Sequence, residues 1–347
     1  MPRSNEAAED APETSPAITS LTVSGFKSIV EEQTIEIRSL TLLAGANGSG
    51  KSSMMQPLLL KQTLEAPSDP GPLLLDGPNV RFTSARQFRP VDSPRGEAVP
   101  FMVWLGLSDD TGFAVTLESH ENEPITLASN VITGFRKPIF IDTQISADDL
   151  ASLARPSFPV DLLQKIKARR GNTHFRVARH RFFLRSNLGY NAKLLNLVIG
   201  YDLFMIKITR TIVELIHLPG LRGNPERIYP VTAADATYRG TFDRYVAGLI
   251  ARWGSESPDR VAQVSDDLKW LGLTWKIEAR GIDETQVELR VGRLPGPGRG
   301  GSKELVNVAD ADLGVSRALP VVVALHAALL GQLVYVEHPE THLHPRA

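Results

Sequence analysis

Residues 40–53 read LTLLAGANGSGKSS, and within them Gly45-Ala46-Asn47-Gly48-Ser49-Gly50-Lys51-Ser52 matches the pattern G-x-x-x-x-G-K-[ST]. The almost unbroken apolar run over 40–45 predicts a strand at the centre of a sheet covered on both faces. The stretch MMQPLLLKQTLE that follows predicts a helix with Pro57 near its first turns. A glycine-rich loop between such a strand and such a helix suits phosphate. The glycines let the backbone wrap closely, its N–H groups point inward, and the helix start adds partial positive charge. Lys51 is expected to reach the β- and γ-phosphates of a nucleotide, and the Ser52 hydroxyl to hold Mg²⁺. Gly45, Ala46, Asn47, Gly48, Ser49, Gly50 and Ser53 complete the cradle.

Such a site needs an acidic residue at the end of a neighbouring strand to fix the metal's water shell. Leu333-Val334-Tyr335-Val336 reads as a buried strand, and Glu337 follows it directly. Glu337 is therefore the candidate metal-side carboxylate, beside Ser52.

Around these two motifs the chain changes texture. Residues 1–17, rich in Ala, Glu, Pro and Ser, read as a disordered tail. Residues 18–145 are β-like, with alternation in ITSLTVSGF and QTIEIRS and further segments at FMVWLGLS and GFAVTLES; 66–100 hold short strands at best. Residues 146–216 read as mainly helical. From 217 to 347 come the helix candidates TFDRYVAGLIARW and PDRVAQVSDDLKWLGL, then a hairpin from TWKIEAR to QVELRV, and finally a helix and a strand. The apolar stretch at 318–336 is long enough to span a bilayer, but Pro320, His326 and Gln332 interrupt it, and buried helix plus buried strand is the better reading.

The fold class expected is α/β, and the 347 residues suffice for one large or two ordinary domains. Lys and Arg total 38 against 39 Asp and Glu, so global charge names no partner and any nucleic-acid surface has to be a local patch. There is no cysteine, which excludes a thiolate metal site and a cysteine nucleophile and suits a reducing cytoplasm.

The two nucleotide motifs, the start GFKS ahead of LTLLAGANGSGKSS and the ending VEHPETHLHPRA resemble P-loop NTPases of ABC/SMC-head type. The likeness is greatest to SMC and OLD-like (overcoming-lysogenization-defect) AAA-type ATPases of prokaryotic DNA-repair and phage-defence systems. The segments HLPGLRGNPERIYP and NVADADLGVSRALPVV strengthen it. The resemblance covers about 18–120 and 215–347 and is specific in the P-loop and the C-terminal block. It implies ATP and Mg²⁺ as ligands and a head-to-tail homodimer with shared sites. It further implies a nuclease or other effector partner and work on DNA or RNA. It places Asp312-Leu313-Gly314-Val315-Ser316-Arg317 at the ABC signature, where Gly314 and Ser316 would close over the γ-phosphate of the opposite subunit. Ser316 reads as the N-cap of the helix that follows.

The sequence departs from that family at two places. The residue after the acid, usually the glutamate base, is His338. A histidine can take a proton near neutral pH, Glu340 can substitute from the next turn, or turnover is slow. Secondly, the strand and switch histidine expected beyond residue 347 are not in the sequence, which points to a fragment or to a head completed by another chain. His338, Glu340, His342 and His344 also admit a metal reading, against which Pro339 and the residue order argue.

Residues 164–201 contain no acid but hold Arg169, Arg170, Arg176, Arg179, Arg181 and Arg185, interleaved with Phe175, Phe182 and Phe183. Arginines beside aromatics suit phosphate neutralisation with base stacking; a solvated face or an acidic protein partner is the other reading. Arg222 and Arg227 suit a phosphate contact across a dimer or structural ion pairs. The function expected is a dimerising ATPase acting on nucleic acid or on an effector that attacks it. The rivals are a nucleotide-gated regulatory subunit with little turnover and an unrelated P-loop kinase.

Overall fold

The computed structural model describes residues 15–55, 57–90, 97–120, 123–146, 149, 173–190, 193–195, 200–231, 237–294, 296 and 303–341. The early alternation becomes β1 (Ile18–Ser24) and β2 (Gln33–Glu36). With β3 (Val99–Leu107), β4 (Gly112–Ser119), β5 (Thr126–Thr133) and β6 (Ile139–Asp142) they form one antiparallel sheet, in the order β2-β1-β3-β4-β5-β6. Phe101, Val103, Leu105 and Leu107 of β3 are buried at every second position, the period of a sheet with one covered face. That face shares a core with α1 (Pro57–Glu65) and α2 (Gly200–Val213) through Leu58, Leu59, Phe113, Val115, Ile208 and Ile212.

The sequence reading assigns no strand to β5 or β6. TLASNVIT places Asn130 at a fully buried position, which masks the apolar alternation. The amide is satisfied there: it donates to Phe182 O (3.0 Å) and accepts from Leu184 N (2.7 Å).

The insertion differs from expectation. Among its described residues, β7 (Thr173–His180), β8 (Phe183–Tyr190) and β9 (Lys193–Leu195) form an antiparallel sheet where helix was expected, and the helix α2 follows; 150–172 lie outside the described residues. The Asn130 bonds dock its tight turn onto β5, and Phe182 and Phe183 pack with Phe113 in the first core. The apolar stretch over 196–216 that suggested a helix holds one in its described part, α2.

The second half follows the sequence reading closely. β10 (Ile216–Leu218) pairs in parallel with a late strand, β15 (Val334–Val336). β11 (Tyr229–Pro230), β12 (Ile277–Gly281), β13 (Gln286–Gly292) and β14 (Leu305–Asn307) form an antiparallel sheet. Against it lie α3 (Val246–Glu256), α4 (Pro258–Trp270) and α5 (Leu313–Ala327), around Leu249, Trp253, Leu268, Leu289 and Val323. The 318–336 stretch thus divides into helix and strand, and no helix among the described residues is long and apolar enough to cross a membrane.

The strand expected over 40–45 is not formed. Leu40 and Leu42 are 77% and 79% exposed, and only Leu43 packs on the first core. A doubly covered strand needs hydrogen-bonded neighbours on both edges; among the described residues none lies beside this segment.

Candidate functional site

The glycine-rich loop opens a cleft of about 400 Å³ lined by Asn47, Gly48, Ser49, Gly50, Lys51, Ser52 and Ser53. Gly50 has φ 92°, in the left-handed region, and a Cβ there would lie 3.1 Å from Ser28 Oγ, so the loop closes on the β1 turn only with glycine. Lys51 folds over the loop: its Nζ donates to Gly45 O (2.7 Å) and Ala46 O (2.8 Å). The helix expected directly after the loop is interrupted. Residues 52–54 form a single 3₁₀ turn, and α1 starts only at Pro57, whose fixed φ suits a first helical position. The helix-dipole contribution expected at the loop is correspondingly weaker, which leaves Lys51 and the loop backbone as the groups that could meet an anion.

Two residues that sequence reading left unassigned, Lys27 and Ser28, also line this cleft. They sit in the turn after β1, where Lys27 N donates to Phe88 O (2.7 Å). The Lys27 ammonium lies 4.4 Å from the Phe82 ring centre, and burial lowers its affinity for a proton. The GFKS string was part of the family resemblance, but nothing in its spacing said that the turn would face the loop.

From the other half of the chain, His338 completes the cleft. It holds a left-handed φ of 48° directly before Pro339, a costly backbone for a side-chain-bearing residue. Its Nδ1 is 3.6 Å from Glu340 Oε1, a solvent-exposed pair of small energetic weight. His342 and His344 lie outside the described residues.

Glu337 does not line the cleft. Its half-buried carboxylate takes two contacts from β10 and the turn after it: Oε2 accepts from Gly220 N (3.2 Å), and Oε1 is 3.5 Å from His217 Nε2. Burial pushes this carboxyl up, but the His217 contact, the Gly220 N–H and nearby His338 together hold it below its ordinary 4.5. Gly220 is required by close approach: a Cβ would meet His338 Cδ2 at 2.6 Å and Glu337 Oε2 at 3.3 Å.

Arg222 and Arg317 clasp each other's backbone. Arg222 donates to Arg317 O (3.0 Å) and Glu337 O (2.9 Å), while Arg317 donates to Arg222 O. Burial, then the Arg317 charge, lowers the Arg222 proton affinity. Arg222 is thus a buried brace between α5 and the acid-bearing turn. Arg227 is bidentate to Asp310 (2.9 and 2.6 Å), the ion-pair alternative read for it.

The signature-like segment needs correction at Ser316. Asp312 occupies the N-cap position of α5, without a side-chain capping bond, and Gly314 and Ser316 lie within the helix. Ser316 Oγ donates to Leu313 O (3.0 Å), the local bonding of a helical serine.

The basic segment is also rearranged. Arg181, at the β7–β8 turn with φ 55°, donates to Thr63 O (2.6 Å), Ala66 O (2.7 Å) and Leu64 O, and so caps the C-terminus of α1. Arg179 pairs with Asp69 at 3.0 Å. Phe182 and Phe183 are buried and offer no stacking platform. Arg176 and Arg185 lie on β7 and β8, and Arg169 and Arg170 fall outside the described residues.

The chain matches no family model and no curated protein by sequence.

Proposed function

We propose that this chain binds ATP with Mg²⁺ in the 45–53 loop and hydrolyses it slowly within a nucleotide-bridged homodimer of ABC/SMC-head type. One observation carries the reading: the cleft joins Lys51 and Ser52 to His338, a residue nearly three hundred positions away (Lys51 to His338) that directly follows the acid at the end of β15. The loop residues fit the ligand. Lys51 holds two loop carbonyls that a phosphate can replace, and Gly50 keeps the backbone close to Ser28.

Bound Mg²⁺ would neutralise charge between the phosphate oxygens. Of the two residues the resemblance assigns to it, Ser52 lines the cleft and could hold it through its hydroxyl, whereas the Glu337 carboxylate lies outside that lining, against Gly220 and His217. Lys51 neutralises phosphate charge, and His338, with Glu340 as the alternative, accepts the proton of the attacking water. Gly314 and Ser316 meet the nucleotide of the opposite subunit. By the resemblance, the cycle drives work on DNA, or on an effector that attacks nucleic acid.

A second reading, a nucleotide-gated subunit with little turnover, is favoured by the Glu337 carboxylate, which is engaged by Gly220 and His217 outside the cleft lining. ATP turnover across a protein concentration series separates the readings. Steeper-than-linear turnover, abolished in Lys51→Ala and nearly abolished in Glu337→Gln, supports the dimeric ATPase. Tight ATP binding without turnover supports the switch, and turnover strictly proportional to protein supports a monomeric enzyme such as a kinase.

A further inference from the structure

We propose that the outer face of the six-stranded sheet, the face turned away from the first core, is an interface with a second copy of this chain. The two sheets pack face to face about a two-fold axis that runs across the strands, along the row Trp104, Ala114, Val131 and Phe140. This contact needs no nucleotide and is separate from the nucleotide-bridged one.

Register sets the four side chains beside one another. Trp104 of β3 pairs with Ala114 of β4, Ala114 with Val131 of β5, and Val131 with Phe140 of β6. Their neighbours along the strands, Val103, Leu105, Phe113, Val115, Ile132 and Ile141, are buried on the core side, so the row lies on the other. None of Met102, Trp104, Val131 and Phe140 joins either hydrophobic core, and Phe140 is 54% exposed. Beyond Trp104 the row continues through Thr22 and Thr34, whose hydroxyls bond each other at 2.8 Å. It is flanked by Gly106, Gly112 and Thr133 on one side and by Met102, Thr116 and Ser129 on the other. A sheet face left to water is polar; this one carries two aromatic rings, a methionine and a valine, with no charge at its middle.

The face is also shaped for close packing. A Cβ on Gly112 would lie 2.7 Å from Trp104 Cη2, so the indole fills the place of that side chain over the sheet. Glycine within a strand weakens it and marks a close approach. Two sheets pack about 10 Å apart. At about 3.4 Å per residue and about 4.8 Å between strands, the six strands cover roughly 650 Å². Two copies then bury roughly 1,300 Å², above the lower bound of about 1,200 Å² for a stable specific interface.

Charge placement favours a second copy over any other occupant. Arg136 and Lys137 stand exposed in the β5–β6 turn, at one end of the face. The acids at that end, Glu36 and Asp109, are paired with Arg38 and Lys207, which leaves Asp110. At the opposite end stand Glu118, Glu123 and Asp142, with His120 3.9 Å from Glu118. An axis along the row reverses the strand direction between copies, so the Arg136–Lys137 turn of each lies over the acidic end of the other. A nucleic acid on this face would meet the same acids with its phosphates.

Sedimentation equilibrium of the full chain, in EDTA and without nucleotide, tests this. The wild type should show a monomer–dimer equilibrium, and Lys51→Ala should show the same one. Phe140→Lys buries a charge opposite its own copy and should raise the dissociation constant at least about 10-fold. Lys137→Glu should weaken the dimer, and adding Asp142→Lys should restore it. The chain has no cysteine, so Phe140→Cys and the control Ser255→Cys, exposed at the end of α3, each carry a single thiol. A short bis-maleimide should join two copies of Phe140→Cys and leave Ser255→Cys unjoined. A wild type monomeric at every concentration overturns the proposal, and slow labelling of Phe140→Cys would then show the face covered by another part of the chain. A dimer that Phe140→Lys leaves intact, or that Lys51→Ala abolishes, overturns it equally.

Discussion

Lys61 and Glu65, one turn apart on α1, form a 2.7 Å ion pair almost wholly withdrawn from solvent, their side chains 0% and 7% exposed. The ammonium also donates to Val213 O (2.7 Å) at the end of α2 and to Tyr238 O (3.0 Å), while Glu65 accepts from Gly240 N. The pair therefore fastens the helix after the glycine-rich loop to the start of the second core. Burial lowers the Lys61 proton affinity, and Glu65 opposes that shift.

Removing one member leaves the other charged and uncompensated. Lys61→Met and Glu65→Gln should each destabilise the fold by about 3–5 kcal/mol. The double variant should cost less than their sum, because the stranded charge is gone. Urea unfolding of the four proteins reads this directly; strict additivity would mean the two groups act independently.

Arg181 is expected to matter for stability. It supplies donors to three carbonyls at the end of α1, so Arg181→Ala should lose about 1–3 kcal/mol in urea unfolding. Charge reversal at Arg181 would then confound any binding assay. Arg179→Glu breaks a partly exposed pair with Asp69, worth about 0–1 kcal/mol, and one bond to Arg181 O (3.2 Å), and is the cleaner probe of nucleic-acid contact. A stable Arg181→Ala protein would dissociate Arg181 from the helix end.

Legibility in the sequence followed the strength of local signals. The alternation in β1, β3 and β4, the apolar faces of α3 and α4, and the β12–β13 hairpin each fall within one short window, and each is present. Features that depend on remote partners were misread. The run over 40–45 is apolar enough for a central strand, yet strand formation needs neighbours that periodicity cannot supply. Phe182 and Phe183 looked like stacking groups only because Asn130, fifty residues earlier, is invisible from their own neighbourhood. In the site, the loop and Glu337 were legible as motifs. The buried contact between Asn79 Nδ2 and His217 Nδ1, 3.1 Å long, was not: His217 opens a segment of the family resemblance, but Asn79 lies 138 positions away and carries no motif.

Lys51 holds only two carbonyls of its own exposed loop, so it should contribute to binding and not to folding. Lys51→Ala should stay within about 0.5 kcal/mol of wild-type stability. Loss of a charged hydrogen-bond donor, worth about 1.5–3 kcal/mol, should weaken mant-ATP binding by roughly 10–100-fold. A variant that lost stability and kept affinity would assign Lys51 to the loop's structure.

Gly220→Ala asks whether the turn after β10 tolerates any side chain. Its Cβ would press on the His338 ring at 2.6 Å and on the Glu337 carboxylate. The turn must shift, at a cost of about 1–3 kcal/mol in urea unfolding. A neutral result would show that the His338 ring can leave its position over Gly220 freely.

Glu337 carries a pH signature. Its carboxyl lies below its ordinary 4.5 in the folded chain, so on acidification the unfolded chain takes up this proton first. The stability it contributes is complete above that ordinary value and is lost as pH falls through the lower, folded one. Glu337→Gln cannot titrate, so it should be less stable than wild type at neutral pH, and the two curves should converge in acid. Urea unfolding in EDTA, from neutral pH down to about pH 3, measures the gap. A gap that stays constant into acid would mean that Gly220 and His217 hold the side chain by shape alone, because the carboxylate and the protonated carboxyl would then differ from the amide by the same amount.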